Sequence, residues 1–124
     1  MQTKQITRTE WPAFFDSFSR QHEGWLATLE ILGPEIGAQV EEHDLPFEGI
    51  TGEWDETKGN TIMIMAGGKT NDHITNTIRR PTEVSLVKTD EGADAALAIK
   101  SQDGVTALLR FRSPMLTEMV DAMM

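Results

Sequence analysis

The strongest hydrophobic pattern in the sequence is an aromatic stripe close to the N-terminus. Its members recur at positions i, i+3, i+4 and i+7, which gathers side chains on one face of a helix; they are Trp11, Phe14, Phe15 and Phe18. Thr7 and Glu10 have the spacing of a capping box, with Thr9 as a competing N-cap, and Gly24 is a plausible end of the helix. Because a domain cannot readily expose so much apolar surface, we expect this helix to cover a sheet.

The chain after this helix has the short alternating runs that are typical of β-strands. Seven runs are predicted as strand, at residues 25–32, 38–44, 47–54, 61–66, 83–88, 96–101 and 105–112. Gly49 and Gly52 predict a bend or bulge within the third run. Residues 73–80 fit either a helical turn or a strand, since Ile74 and Ile78 share a face in both. An Asp-Gly pair between the last two runs is the strongest hairpin signal in the chain.

Together these elements predict one α+β domain that spans residues 1–124. We expect an N-terminal amphipathic helix followed by a curved antiparallel sheet, or a small partly open β-barrel, of six to seven strands. A short C-terminal helix is also predicted, because Ser113-Pro114 is a plausible start. Apolar residues recur behind it at helical spacing: Leu116, Met119, Val120 and Met123.

Two apolar surfaces are candidates for assembly. Residues 62–65 place apolar side chains on both faces of one strand, which is typical of a central strand or of an interface. The C-terminal stripe is rich in methionine, whose flexible side chain adapts to irregular surfaces. The sequence therefore favours a non-enzymatic binding or assembly module, and a homodimer is the predicted form. Its candidate interface residues are Met63, Met65, Leu116, Met119, Val120 and Met123.

The charge distribution narrows the range of partners. The net charge is −9, and residues 25–60 carry nine acidic side chains and one basic side chain, Lys58. A negative field repels phosphate backbones, so we expect neither nucleic acid nor an anionic membrane as a partner. The acidic segment is explained by solvation, with a basic partner or a cation as the alternative. The first ten residues lack the apolar run of a signal peptide, so a cytoplasmic location is expected.

Candidate chemistry is sparse. The chain has no cysteine and no G-x-S-x-G elbow, so a thiol nucleophile or an elbow serine has no support. Residues 67–70 have the ending of a phosphate-binding loop, but Met63 stands where its first glycine is needed. No catalytic residue and no cofactor are therefore predicted.

Histidine and carboxylate side chains leave weak alternatives open. His43, Glu41 and His73 are weak candidates for a divalent-metal site, and His22 is expected to act as a cation at the helix C-terminus. The alternative function is a small-ligand or metal-binding protein, or an enzyme, with a pocket inside the curved sheet. That pocket would be lined by aromatic, Met and acidic or imidazole side chains: Trp25, Trp54, Glu41, His43 and Glu48.

Three segments resemble a bacterial family of small proteins classified as a domain of unknown function. They are EWPAFFDSFSRQHEGWLATLEILG at residues 10–33, IGAQVEEHDLPFEGI at residues 36–50 and TDEGADAALAIKSQDGVTALLRFRSP at residues 89–114. The resemblance covers most of the chain and concerns the whole domain. It implies no activity and assigns no site residue.

Overall fold

The computed structural model describes residues 2–34, 37–67 and 73–112, except for the side chains of residues 38 and 40–43. Its helical part is a 3-10 turn, Arg8–Glu10, followed directly by helix α1, Trp11–His22. The strands are β1 Gln2–Ile6, β2 Leu26–Gly33, β3 Gly37–Glu53, β4 Thr61–Ala66, β5 Ile74–Arg79, β6 Pro81–Lys88, β7 Asp94–Ser101 and β8 Thr106–Phe111. The predicted α+β class is confirmed.

The eight strands form one sheet in the order β1-β6-β7-β8-β2-β3-β4-β5, and every pairing is antiparallel. The long strand β3 joins the two parts of the sheet, because residues 37–46 pair with β2 and residues 47–53 pair with β4. The sheet is open, with β1 and β5 at its ends, so it is not the small β-barrel considered from the sequence.

Two strand predictions require correction. β1 was not expected, because Gln2–Ile6 is polar and only Ile6 is buried; its pairing with β6 makes it a strand. Residues 38–44 and 47–54 were predicted as separate strands, whereas β3 runs through both with a register shift between Phe47 and Gly49. These two differences cancel in the strand count. The eighth strand is β5, in the segment that fitted either a helical turn or a strand. The predicted C-terminal helix lies outside the described residues.

Helix α1 has the predicted apolar face. Trp11, Phe15 and Phe18 are buried and Phe14 is half-buried, so the aromatic stripe covers the sheet as expected. The predicted capping box is wrong, since no side-chain cap is formed at Thr7 or at Glu10. The start of the helix is instead fixed by the Trp11 indole, which donates a hydrogen bond to the carbonyl of Ile6 at 3.0 Å.

The core fills the space between α1 and the inner face of the curved sheet. Cross-strand partners such as Ile50 and Ile64 point to the same side, where they meet the helix aromatics. Phe18 lies within 6 Å of the rings of Phe47 and Phe111, at centroid distances of 5.7 and 5.8 Å. The interior is therefore occupied by packed side chains at the place where a ligand pocket was considered.

Helix α1 also forms hydrogen bonds with backbone groups of strand β3 that are not paired with strand β2. The Ser19 hydroxyl donates to the carbonyl of Ile50 at 3.0 Å and accepts from the amide of Ile50 at 2.9 Å. Ser19 lies directly over Gly49, where a Cβ atom would be 3.5 Å from the hydroxyl oxygen. One side chain thus satisfies two backbone groups that the strand β2 does not reach.

Candidate functional site

The most distinctive surface feature is a corner where three turns of the sheet are joined through one residue. Arg80 is the sole connection between β5 and β6, and its backbone has a φ of +52°, which is rare for a residue other than glycine. Its amide donates to the carbonyl of Asn60 at 2.9 Å, and its carbonyl accepts from the amide of Gln102 at 3.0 Å. This link brings β5, an end strand of the sheet, against the β7–β8 turn.

A cleft opens at this corner. It consists of three adjoining hollows of about 420, 520 and 570 Å³, and Asn60 lines all three. All three hollows are open to solvent, so the cleft is a shallow groove on the surface. The floor is contributed by Gly59, which has a φ of +91° and lies against the Arg80 side chain. A side chain at position 59 would be strained and would crowd Arg80.

Four cationic side chains line the cleft: Arg8, Lys58, Arg79 and Arg80. Among the described residues, none of the four forms an ion pair with a carboxylate. Four other cations do form such pairs, namely Arg20 with Asp16, Lys88 with Asp94, Arg110 with Glu30 and Arg112 with Asp44. In a chain with a net charge of −9, this local gathering of unpaired positive charge is unusual.

Arg8 is held in place at the edge of the cleft. Its guanidinium lies over the ring of Trp11, with 5.0 Å between Cζ and the ring centroid, and Nη2 donates to the carbonyl of Pro81 at 3.4 Å. A cation over an indole face is attracted by the ring quadrupole. The remaining N–H groups of Arg8 are available to an anion in the cleft.

Three acidic side chains also line the cleft, and two of them have donors of their own. The backbone amides of Lys58 and Thr57 donate to the Asp55 carboxylate at 3.0 and 2.8 Å and lower its pKa. The Ser101 hydroxyl and the Val105 amide do the same for Asp103, whose pKa is also lowered. The third acidic residue is Glu56. The four cations still outnumber these carboxylates.

Trp54 forms the rim at one end of the cleft. It lines one hollow of the cleft together with Arg8 and Asn60, and it also lines a separate hollow beside α1. It is 42% exposed, although it is a large apolar side chain. Its ring packs against Phe15, with centroids 6.2 Å apart and planes 10° apart. The cleft thus combines cationic groups, amide groups and one exposed aromatic surface.

This arrangement is suited to binding an anion. Guanidinium and ammonium groups donate charge-assisted hydrogen bonds to phosphate, sulfate or carboxylate oxygens. The side chains of Asn60 and Gln102 add neutral donors and acceptors. The cleft residues do not form a nucleophile–base pair of the kind that covalent catalysis uses.

A second polar cluster lies buried beneath α1. His22 Nε2 is 2.9 Å from Asp94 Oδ2, and His22 Nδ1 is 2.7 Å from the carbonyl oxygen of Phe18. Lys88 Nζ lies 3.0 Å from the other carboxylate oxygen of Asp94. The His22 and Asp94 side chains are only 2% and 6% exposed, so a substrate cannot reach them. This pair fastens the end of the helix to β7.

Of the residues predicted from the sequence as metal ligands, only His73 has a described side chain. His73 Nε2 is 2.6 Å from Glu48 Oε2, which gives an exposed pair and no third ligand. No group of three or more His, Asp or Glu side chains in the described part of the chain could hold a metal ion. The side chains of Glu41 and His43 lie outside the described residues. His22 does end α1 as expected, but it is buried and not at the surface.

The predicted interface residues are only partly described. Met63 and Met65 lie on β4, which is a central strand between β3 and β5, and both side chains are half-buried on the face opposite Ile62 and Ile64. The C-terminal candidates all lie outside the described residues: Leu116, Met119, Val120 and Met123. Residues 68–70 of the loop with a phosphate-loop ending lie outside them too. Neither helical segment in the described ranges is long and apolar enough to cross a membrane.

The cationic cleft was not predicted from the sequence. Its members come from four separate segments, so spacing along the chain gives no motif. Two weak signals were present: the adjacent pair Arg79-Arg80, and Lys58 as the single base in an acidic stretch. Their significance depends on sheet pairing, which places Thr61 opposite Arg79.

Comparisons with known proteins agree with this fold and with the resemblance in sequence. A model for a family described as "Family of unknown function (DUF5335)" matches residues 2–120, and the chain belongs to this family. An uncharacterized protein of Aquifex aeolicus (strain VF5) is 26% identical over 112 residues, which are 90% of this chain and 94% of that protein. The crystal structure of the Bacillus subtilis YojF protein is 12% identical with a TM-score of 0.51, over 94% of this chain and 99% of that chain. At that identity, the likeness concerns the fold alone.

Proposed function

We propose that this member of the family is a non-enzymatic binding module whose ligand is a small anion held in the corner cleft. The observation that carries this proposal is the convergence of four cations that form no ion pair within the described ranges: Arg8, Lys58, Arg79 and Arg80. Positive charge that is not neutralised internally is available to a ligand. The surrounding negative field disfavours a long polyanion, so a small ligand fits better than a nucleic acid.

The backbone of Arg80 supports the same proposal. A residue with a side chain is disfavoured at φ of +52°, and such positions cluster at functional sites. Glycine or asparagine would suit the turn better, and yet an arginine occupies it. The guanidinium at this corner is therefore explained more readily by ligand binding than by the turn itself.

Isothermal titration calorimetry with inorganic pyrophosphate tests this function. The variants are Lys58→Gln and Arg80→Asn, and Lys4→Gln is the matched control, since it removes one charge from exposed strand β1 outside the cleft. Each cleft variant should weaken binding about tenfold, which is the lower end of the loss of a charge-assisted hydrogen bond. The control should bind as the unaltered protein does.

Two results would overturn the proposal. One is the absence of any binding heat with pyrophosphate at millimolar concentration and low salt. The other is an equal loss in Lys4→Gln and Lys58→Gln, because equal losses would mean that net charge and not the cleft attracts the anion. Both measurements belong at fixed ionic strength, since exposed charges are strongly screened by salt.

A second candidate function is self-assembly through the outer face of the β3–β4–β5 part of the sheet. Met63 lies there between Thr51 and Thr77, and Met65 lies between Gly49 and Thr75. Methionine side chains adapt readily to an irregular partner surface. In a homodimer that packs these faces together, both half-buried methionine side chains would become fully buried.

Native mass spectrometry and light scattering test the homodimer. The unaltered chain should give a dimer mass at micromolar concentration, and Met63→Lys should give a monomer mass with unchanged secondary structure. Gln5→Lys on exposed strand β1 is the control and should stay dimeric. A monomeric unaltered protein would exclude this candidate while leaving the cleft proposal standing.

A further inference from the structure

We infer that the ligand of the cleft carries a flat aromatic ring beside its anionic group, as a nucleoside monophosphate does, and that the ring stacks on Trp54. This inference deepens the anion-binding function and rests on it. The rim of the cationic cleft is formed by an exposed indole. Among the described residues, only Leu26 and Trp54 are large apolar side chains exposed by more than a third.

The indole and the cations belong to one continuous cleft. The hollow lined by Trp54 shares Arg8, Gly59 and Asn60 with the hollow lined by Lys58 and Arg80. A ligand that reaches from the cationic end to the rim therefore meets the indole without leaving the cleft. A free phosphate ion would use only one end of it.

The neighbours of Trp54 fix the indole before any ligand arrives. Phe15 stacks nearly parallel to it, and the buried Trp11 ring is tilted by 45° with centroids 6.1 Å apart. The ring also lies over Gly52, where a Cβ atom would overlap the indole. Because these contacts hold the ring in one place while 42% of the residue stays exposed, stacking a ligand on it costs little conformational entropy.

The charges around the cleft set the orientation of the ligand. The hollow beside Trp54 contains the carboxylates of Asp55 and Glu56 and one cation, Arg8. The hollow lined by Lys58, Arg79 and Arg80 contains one carboxylate, Asp103. A phosphate is therefore drawn to the second hollow, where positive charge is in excess. Carboxylates beside the ring can accept hydrogen bonds from an exocyclic amino group. An adenine base on Trp54 with its phosphate among the cations meets both conditions.

Calorimetric titration with three probes tests the inference: AMP, ribose 5-phosphate and inorganic pyrophosphate. AMP should bind about tenfold more tightly than ribose 5-phosphate, the size of effect expected from one base–aromatic stack. Trp54→Ala should remove this difference and leave ribose 5-phosphate binding unchanged. Trp54→Phe should retain most of it, because phenylalanine keeps an aromatic face.

Gly52→Ala provides a second variant that keeps the indole but displaces it. It should reduce the preference for AMP as Trp54→Ala does, even if Trp54→Ala lowers stability through lost contact with Phe15. Ribose 5-phosphate binding with no preference for AMP would overturn the ring inference and leave the anion site standing. Failure of all three probes to bind would overturn both.

Discussion

His22 and Asp94 form a buried hydrogen-bonded pair between residues 72 positions apart in the chain, with 2.9 Å between Nε2 and Oδ2. The two ring nitrogens of His22 face a carbonyl oxygen and a carboxylate, and both of these accept hydrogen bonds. The ring also stacks on Phe111 at 4.9 Å, and this places the pair inside the aromatic core.

Removal of the carboxylate at position 94 should be among the most destabilising polar substitutions in the chain. Asp94→Ala leaves His22 and Lys88 without their shared partner, and breaking a buried pair costs about 3–5 kcal/mol. Urea denaturation followed by circular dichroism measures this loss. Asp16→Ala is the control, because it breaks an exposed pair with Arg20 and should cost less than about 1 kcal/mol. Equal losses of unfolding free energy in the two variants would show that the buried pair stabilises the fold no more than the exposed pair does.

The same pair predicts how stability depends on pH. Burial raises the pKa of Asp94, but the hydrogen bonds and charges of His22 and Lys88 together more than reverse this, so the pKa is lowered. A carboxyl group whose pKa is lower in the folded state stabilises that state above its unfolded pKa of about 3.9. This stabilisation is lost as the pH falls through the lower, folded value.

Denaturation curves between pH 6 and pH 2 measure this dependence. The difference in unfolding free energy between the unaltered protein and Asp94→Ala should be constant above about pH 5 and should shrink below the unfolded pKa. A difference that stays constant down to the acid unfolding transition would contradict an ionised Asp94 in the folded state.

Ser19 is predicted to matter through the backbone of Ile50. Ser19→Ala leaves one amide and one carbonyl of strand β3 without their described partner, at a cost of about 1–3 kcal/mol in unfolding free energy. Ser17→Ala is a matched control on the same helix and should be neutral or slightly stabilising, because alanine favours helix. Hydrogen exchange at the Ile50 amide provides the local measurement, and it should speed up only in Ser19→Ala.

The left-handed backbone of Arg80 gives a prediction about stability that is independent of binding. Arg80→Asn should be at least as stable as the unaltered protein, because asparagine tolerates positive φ. Arg80→Val should lose about 1–2 kcal/mol, since a left-handed conformation is costly and most so for a β-branched residue. Arg79→Val, in extended strand β5, is the control and should lose little. Thermal and urea unfolding of the three variants measure these differences in stability.

Local patterns sufficed for much of the fold. The aromatic stripe predicted α1 and its buried face, a continuous apolar run predicted β4 as Thr61–Ala66, and the Asp-Gly pair predicted the β7–β8 hairpin, where Gly104 has a φ of +87°. In each case neighbouring residues carry the information, because helix and strand periodicity and turn geometry act over a few residues. The sequence therefore determined most of the elements and the side of each that faces the core.

Only the tertiary structure decided what the remaining polar residues do. Strand β1 exists because β6 pairs with it, and His22 is buried because Asp94 approaches it from a distant strand. The cationic cleft arises in the same way. Arg80 forms hydrogen bonds with Asn60 and Gln102, which lie in turns that are distant from it in the sequence. Hydrophobic periodicity can be read from the order of residues, whereas the positions of charged side chains relative to one another depend on which strands pair. That pairing is fixed by the energy of the whole core and not by any local segment.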